Sequence, residues 1–372
     1  MGGFSLSEVL NAASIYPDGD RHPYYIVVPP YSRFSAGIKV LHLLCHALNL
    51  RGQSAFLLVL PDMPVGVSVV NPDLLTPRLT QDILDAHAVQ KRTPIVVYPE
   101  TIRGNPLQAP VVVRYVLNVP GLLGGDKVYA SDELVFSYSR GLCKDIGREA
   151  DLLFLPVTNT RIFHRGGEAV ERSGSCYYAR KYKKLHLDNF TPPEEGSIEI
   201  TWEQSPEELA DLYQRVEKFY CYESTSSALD AALCGCPTVS LPNETLKFPI
   251  GADSLSMDGH AWGDSVEEIS RAKATVGNVL TQYQKTIDQF WEQLLGFIDV
   301  TQRRAAGTSY STQLRSPFEK TSSVVFFYRS TRAVVRSFIW RGELRGIVLK
   351  AWGNFKREGI AGIIRKLKRG TV

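Results

Sequence analysis

The sequence predicts an α/β protein of two successive Rossmann-like domains facing each other across a cleft, followed by a basic helical extension. Three observations predict it. Short, almost wholly apolar runs such as Tyr24 to Pro29 (YYIVVP) and Ser54 to Leu60 (SAFLLVL) alternate with amphipathic helical stretches, the pattern of parallel strands buried on both faces. That alternation lapses between Pro156 and Gly174, where charges and glycines cluster, and then restarts. Charge is divided unevenly: from Thr301 onward sixteen Lys and Arg stand against Glu319, Glu343 and Glu358, a balance of +13, whereas residues 1–300 balance to −10. The expected units are therefore 1–160, 161–300 and a basic amphipathic extension 301–372.

Each element has a local reason. After the first strand, Pro30 to Ser35 forms a loop and Gly37 opens an amphipathic helix (GIKVLHLLCHALNLRG) that Gly52 ends. Residues 54–60 supply the second strand. Thr80 caps a helix to His87, and Pro94 to Tyr98 is a strand whose carboxyl end carries Pro99-Glu100 and Gly104-Asn105-Pro106. Arg114 to Leu117 is expected in the next helix, Asp132 to Tyr138 leads into a strand, and Leu152 to Leu155 closes the first set. In the second set, Ser175 to Tyr182 and Ser197 to Thr201 are strands, and Ser205-Pro206-Glu207-Glu208 is a capping signal for a helix to Val216. Ser265-Val266-Glu267-Glu268 starts another helix, and Thr286 to Val300 is long and amphipathic.

The most informative stretch is Phe219 to Leu241. Phe219 to Tyr222 reads as a strand, Glu223-Ser224-Thr225-Ser226-Ser227 offers cap side chains to the helix Ala228 to Leu233, Gly235 supplies a left-handed stop, and Pro237 precedes a parallel strand. A βαβ unit of this kind presents unpaired amides and hydroxyls at the carboxyl edge of a sheet, where a phosphate is favoured. An ordinary capped helix is the alternative.

Composition limits the function classes. At 372 residues, with 44% hydrophobic and 22% charged residues, the chain can build sizeable cores. Met1 to Tyr16 lacks a signal-peptide pattern and no apolar run reaches membrane-spanning length, so a cytoplasmic location is expected. The six cysteines show no paired framework and are read as buried thiols. Cys234 and Cys236 have no matching pair at zinc spacing, and His42, Cys45 and His46 share a helix whose leucines mark a buried stripe, so no metal is expected. The dinucleotide turn Gly-x-Gly-x-x-Gly is absent after Val28, where Pro29-Pro30 stands, which disfavours a sugar-nucleotide dehydrogenase or epimerase.

Three segments, spanning roughly residues 22–300, resemble glycosyltransferases of the GT-B fold, of the group-1 type found in bacterial surface-polysaccharide synthesis. These are Gly37-Ile38-Lys39 with VLHLLCHALNLRGQSAFLL, then Tyr98-Pro99-Glu100 and Gly104-Asn105-Pro106-Leu107 with VVRYVLNVPG, and finally Phe219 to Pro237 with its LCGCP end. The resemblance implies transfer of a sugar from a nucleotide-diphosphate donor to a glycan or lipid-linked acceptor, retaining and metal-independent, with the nucleotide sugar as substrate and no cofactor. It implies that Arg180, Lys181 and Lys184 meet the diphosphate, and that Tyr222, Ser224, Thr225, Ser226, Ser227 and Asp230 line the donor site with Gly37 opposite. Glu223, Glu100 and Asn105 are the catalytic candidates. Many retaining members carry two glutamates separated by seven residues; here the second position falls on Asp230 and the first on Tyr222, with Glu223 one place later. That shift leaves open a non-catalytic binding or scaffold protein of the same fold.

Between Val324 and Arg369, Phe326, Phe327, Trp340, Trp352 and Phe355 interleave with Lys and Arg at roughly helical spacing. Such a segment suits an anionic membrane surface, which would place the protein at the inner face of the cell membrane. Packing against protein is the alternative. Nucleic acid is disfavoured, since no recognition fold is visible and the aromatic residues form a stripe.

Overall fold

The computed structural model describes residues 21–33, 35–60, 68–167, 171–186, 190–201, 203–223, 225–244, 246, 256–308 and 314–318. The expected extension beyond Phe318, Ser224, and the side chains of Lys181 and Lys184 lie outside the described residues. Two parallel sheets carry the fold. The first holds β1 (Tyr24–Val28), β2 (Ala55–Val59), β3 (Ile95–Pro99), β4 (Val111–Val116), β5 (Leu134–Ser137) and β6 (Asp151–Leu152), in the order β2-β1-β3-β4-β5-β6. The second holds β7 (Ser175–Tyr178), β8 (Ile198–Glu199), β9 (Lys218–Cys221), β10 (Thr238–Ser240) and β11 (His260–Trp262), in the order β11-β10-β9-β7-β8. All neighbouring strands run parallel.

The helices are α1 (Ala36–Leu50), α2 (Gln81–Val89), α3 (Arg140–Ile146), α4 (Arg180–Leu185), α5 (Pro206–Arg215), α6 (Ser227–Leu233), α7 (Val266–Thr275) and α8 (Val279–Ala306). The caps expected at Thr80, Ser205 and Ser265 are present, and Ser35, expected only as the end of a loop, caps α1 as well. Ser35, Thr80, Ser205 and Ser265 each accept a hydrogen bond from an amide in the first turn of the helix that follows, and Ser205 with Glu208 forms a reciprocal capping box. Replacing Ser205 with alanine is expected to cost about 1 kcal/mol, read as a lower urea midpoint at unchanged slope. Gly235 follows α6 with φ +80°, the left-handed stop its position requires.

Strand alternation separates two layers on the first sheet. Tyr24, Ile26, Val28, Val97, Val113 and Tyr115 face one way, onto α1 and the part of α8 from Phe290 onward, whose Phe290, Leu294 and Phe297 complete that core. Tyr25, Val27, Val96, Tyr98 and Val112 face the other, onto Leu84 of α2, Ile102 and Leu107 of the following loop, and Leu314. Helix α8 therefore begins beside α6, where Val279 and Tyr283 pack with Ala232 and Leu233, and ends within the core of the first sheet.

Three expectations about elements are corrected. The run Arg114 to Leu117 is not helical: Val111–Val116 is β4, buried along its whole length between β3 and β5. Its β-branched and aromatic residues suit a pleated, doubly covered strand, and Arg114 is tolerated there because Glu133 neutralises it. The strand expected to reach Tyr182 stops at Tyr178, because Arg180 begins α4 in a run of good helix formers. Helix α8 starts at Val279, seven residues before the expected Thr286, and continues to Ala306.

Candidate functional site

In a doubly wound sheet, ligands collect outside the carboxyl ends of strands, where the chain's winding reverses direction. The first sheet reverses between β1 and β3, since β2 lies on one side of β1 and β3 on the other. The loops leaving those strands carry Gly37, in the first turn of α1, and Glu100, one residue past β3. Both converge on the residue after β4. The Leu117 amide donates to Glu100 Oε2 at 3.0 Å, and Leu117 Cδ1 lies 3.6 Å from where a side chain on Gly37 would begin.

Glu100 is only 4% exposed, and burial pushes its carboxyl up to about 7, while the Leu117 amide, its own backbone amide and the Arg114 charge act against that rise. Its backbone is fixed from two sides. Gly125, at φ +75°, packs so close that a Cβ there would sit 1.9 Å from the Glu100 carbonyl oxygen, so only glycine fits. Beneath the loop, the fully buried Arg114 spends its donors on Glu133 (2.9 and 3.1 Å) and on the carbonyls of Pro99, Ile102 and Gly104 (3.4, 2.6 and 2.9 Å). Tyr98 and Tyr129 lie against its guanidinium at 5.3 and 5.2 Å.

Asn105 plays a different part from the one expected. Its side chain accepts from the Tyr98 hydroxyl (3.1 Å) and the Ala109 amide (2.8 Å) and donates to the Ala109 carbonyl (2.9 Å). The amide is occupied within its own loop and does not reach across a cleft.

The second sheet reverses between β7 and β9. The loops leaving these strands carry Arg180 and Glu223. The Tyr178 hydroxyl, pushed up to about 12 by burial, accepts from Arg180 and lies close enough to Glu223 for that carboxylate to raise it further. Glu223 is 4% exposed. Tyr222 belongs to an aromatic group, its ring 5.0 Å from Tyr182 and 5.4 Å from Phe190. Lys181 and Lys184 belong to α4, the helix that follows β7.

The hydroxyl-rich turn is organised more locally than expected. Thr225 Oγ1 accepts from the Ser227 amide at 3.2 Å, and Ser226 takes a helical backbone with no side-chain cap. Asp230 is likewise engaged with protein. It is buried, with its carboxyl pushed up by burial, and accepts from Thr158 Oγ1 at 2.7 Å; Lys39 of α1 is close enough to oppose the shift. Thr158 in turn donates its amide to the Tyr283 hydroxyl (3.0 Å) and accepts from that hydroxyl at its carbonyl (2.8 Å). Lys39 in the first turn of α1 is thus within electrostatic reach of Asp230 in the first turn of α6.

Sequence reading missed Arg114, Glu133, Tyr178 and Thr158. A lone arginine inside VVVRYV was the one local signal, since a charge in an otherwise apolar strand demands a buried partner. The residues weighed as metal ligands have protein roles: His42 Nε2 donates to the Pro29 carbonyl, His46 Nδ1 accepts from the Leu75 amide, and Cys45 is buried with its thiol pushed up. A small recess lined by Tyr25, Asp85, His87 and Arg92 lies by the amino ends of β1 and β3, away from Glu100.

No family model matches the chain, and no curated protein matches it. Among solved structures it is similar to AviGT4, a glycosyltransferase involved in avilamycin A biosynthesis, at 13% identity and a TM-score of 0.43 over 77% of this chain and 99% of that one. It is also similar to a glycosyltransferase from Rickettsia africae (8% identity, TM-score 0.37, 83% and 99% covered) and to the spinosyn rhamnosyltransferase SpnG (12%, 0.35, 76% and 98%). All three likenesses are distant.

Proposed function

We propose that the chain is a glycosyltransferase of the GT-B type, moving a sugar from a nucleotide-diphosphate donor to a glycan or lipid-linked acceptor. What supports this reading is that each sheet's reversal point carries polar candidates, Glu100 and Gly37 in the first and Arg180, Tyr178 and Glu223 in the second, with Lys39 of the first unit within electrostatic reach of Asp230 in the second. Arg180, with Lys181 and Lys184 beside it, would neutralise the departing diphosphate. Glu223 would accept hydrogen bonds from donor hydroxyls, and Gly37 leaves room for the donor against the first turn of α1.

Glu100 is the group for the acceptor. In a retaining transfer the leaving phosphate takes the acceptor proton and Glu100 orients the hydroxyl. In an inverting transfer Glu100 takes the proton itself, the acceptor oxygen bonds to the anomeric carbon, and the nucleotide leaves as its diphosphate. A pH–rate profile rising near neutrality in wild type and flat in Glu100→Gln marks the inverting course.

A binding protein of the same fold is the second reading, favoured by the engagement of Asp230 with Thr158 rather than with the cleft. Both readings predict that UDP, GDP or dTDP raises the melting temperature. Turnover of a sugar nucleotide by wild type, reduced about 10- to 100-fold in Glu223→Ala, supports the enzyme. Nucleotide binding without turnover across a donor panel supports the binding protein. Absence of both rejects the site.

The basic extension is proposed to hold the protein on anionic membrane at the cytoplasmic face. Deleting residues 319–372 is expected to weaken sedimentation with phosphatidylglycerol vesicles; unchanged sedimentation would reject that role.

A further inference from the structure

The Tyr129 hydroxyl, in the loop between β4 and β5, is enclosed by protein and has no hydrogen-bond partner among the described residues. An orphaned buried donor is costly and uncommon, and one beside a buried carboxyl points to a state of the site in which the donor is used. The ring itself is well fixed. It is 6% exposed, packs with Val116, Val135 and Ile146, and lies 5.2 Å from the Arg114 guanidinium. The next two residues are pinned as well, since the carbonyls of Ala130 and Ser131 accept from Arg148 at 2.6 and 3.3 Å. A phenylalanine would fill the same space without leaving a buried hydroxyl unmatched.

Glu100 from the end of β3, Arg114 from β4, and Asp126 and Glu133 from the loop before β5 all lie within electrostatic reach of this hydroxyl. Three of them are already engaged. Glu133 takes Arg114 at both oxygens (2.9 and 3.1 Å), and the remaining Arg114 donors go to backbone carbonyls. Asp126 accepts from the Gly104 amide at 2.6 Å and pairs with Arg103 at 3.5 Å. Glu100 differs: among the described residues no cation pairs with it, and backbone amides are its hydrogen-bond donors, that of Leu117 at 3.0 Å. A carboxylate has room for about four donors, so Glu100 has acceptor capacity to spare. After burial itself, Glu100 is the largest influence raising the Tyr129 phenol, which therefore keeps its proton while Glu100 titrates.

We propose that Tyr129 is a positioning residue for Glu100: once that carboxyl has lost its proton, the Tyr129 hydroxyl donates to the carboxylate and holds it in place for an acceptor hydroxyl. In the structure the two groups are close but not hydrogen-bonded. Ionisation of Glu100 supplies the charge that draws them together, a hydrogen bond to a charged acceptor being the stronger kind. Tyr129 gives up no proton in this role and touches no reacting atom. The use of the carboxylate on an acceptor rests on the transfer reading; the hydrogen bond to ionised Glu100 does not.

The test is urea unfolding of the full chain from about pH 5 to about pH 9 for wild type, Tyr129→Phe, Glu100→Gln and the double variant. Phenylalanine keeps the ring against Arg114 and removes only the hydroxyl. Losing a donor to the charged form is expected to raise the pH at which folded Glu100 ionises by about 1–2 pH units. Stability then goes on falling over a wider range. Tyr129→Phe should run parallel to wild type below about pH 6, where folded Glu100 keeps its proton in both, and drop further above about pH 7, where the wild-type loss from this group levels off. In the Glu100→Gln background the same substitution should have no pH-dependent effect. Curves that stay parallel up to about pH 9, or a gap that opens equally in the Glu100→Gln background, overturn the proposal. Turnover is read separately: where wild type turns over a sugar nucleotide, Tyr129→Phe is expected to be about 10-fold slower at pH 7 and to recover in part as pH rises. A wild type without turnover would remove the transfer reading and leave the urea curves to decide the hydrogen bond.

Discussion

Arg114→Met is expected to destabilise the protein by about 3–5 kcal/mol, seen as a large drop in the urea midpoint, because it removes the cation that the buried Glu133 carboxylate pairs with. Arg114 is fully buried and Glu133 is 7% exposed. A guanidinium has five N–H donors, and here they are all directed at the Glu133 carboxylate and at the carbonyls of Pro99, Ile102 and Gly104. Removing it leaves a buried anion and three carbonyls short of partners. The double variant Arg114→Met, Glu133→Leu should recover a large part of the loss, since the uncompensated charge is gone and apolar replacements of a buried pair are often tolerated. If both variants fall equally, the carbonyl contacts rather than the ion pair dominate. If neither falls, Arg114 has no structural role in holding the loop that bears Glu100.

The elements legible from sequence were those whose own residues decide them. YYIVV, AFLLV and IVVYP are too short for independent helices and too apolar for surface loops, and each became a buried strand of the first sheet, YYIVV and IVVYP inside it and AFLLV at its end. Capping signals at Thr80, Ser205 and Ser265 placed three helix starts correctly. VVVRYV was misread because a short apolar run with an arginine satisfies either period, and the deciding fact is a glutamate 19 residues later. Candidate site residues followed the same division. Glu100 and Glu223 were recognisable as strand-end carboxylates, since sheet topology alone puts them at the reversal points. Asp230 was expected to line the donor site, but its partner Thr158 lies 72 residues away in the stretch joining the two sheets, and no local pattern encodes that contact. Asn105 was expected among the catalytic groups, yet its side chain closes its own loop onto Ala109, and Tyr98 completes the arrangement.

Glu100→Gln is expected to separate stability from activity. In the native protein burial raises this carboxyl to about 7, against an ordinary value of 4.5. Between those two pH values the folded state keeps a proton that the unfolded chain releases, so wild-type stability is greatest below about pH 4.5 and falls as pH rises through 7. At about 1.4 kcal/mol per unit, the loss approaches ~3 kcal/mol by pH 8. Glutamine has the same shape, can still accept from the Leu117 amide, and does not titrate. Its stability should therefore match wild type near pH 4.5 and exceed it at pH 8, measured by urea unfolding across that range. Parallel curves would show that Glu100 carries no raised carboxyl. Turnover should move the other way, falling about 100-fold or more where the carboxylate takes the acceptor proton, and less where it only orients the hydroxyl. A site that gives up stability at neutral pH to keep an ionisable group at a strand end is most simply explained by a need for that group. A variant that is both more stable and fully active at pH 8 would remove Glu100 from the chemistry and leave Arg180 and Glu223 to carry it.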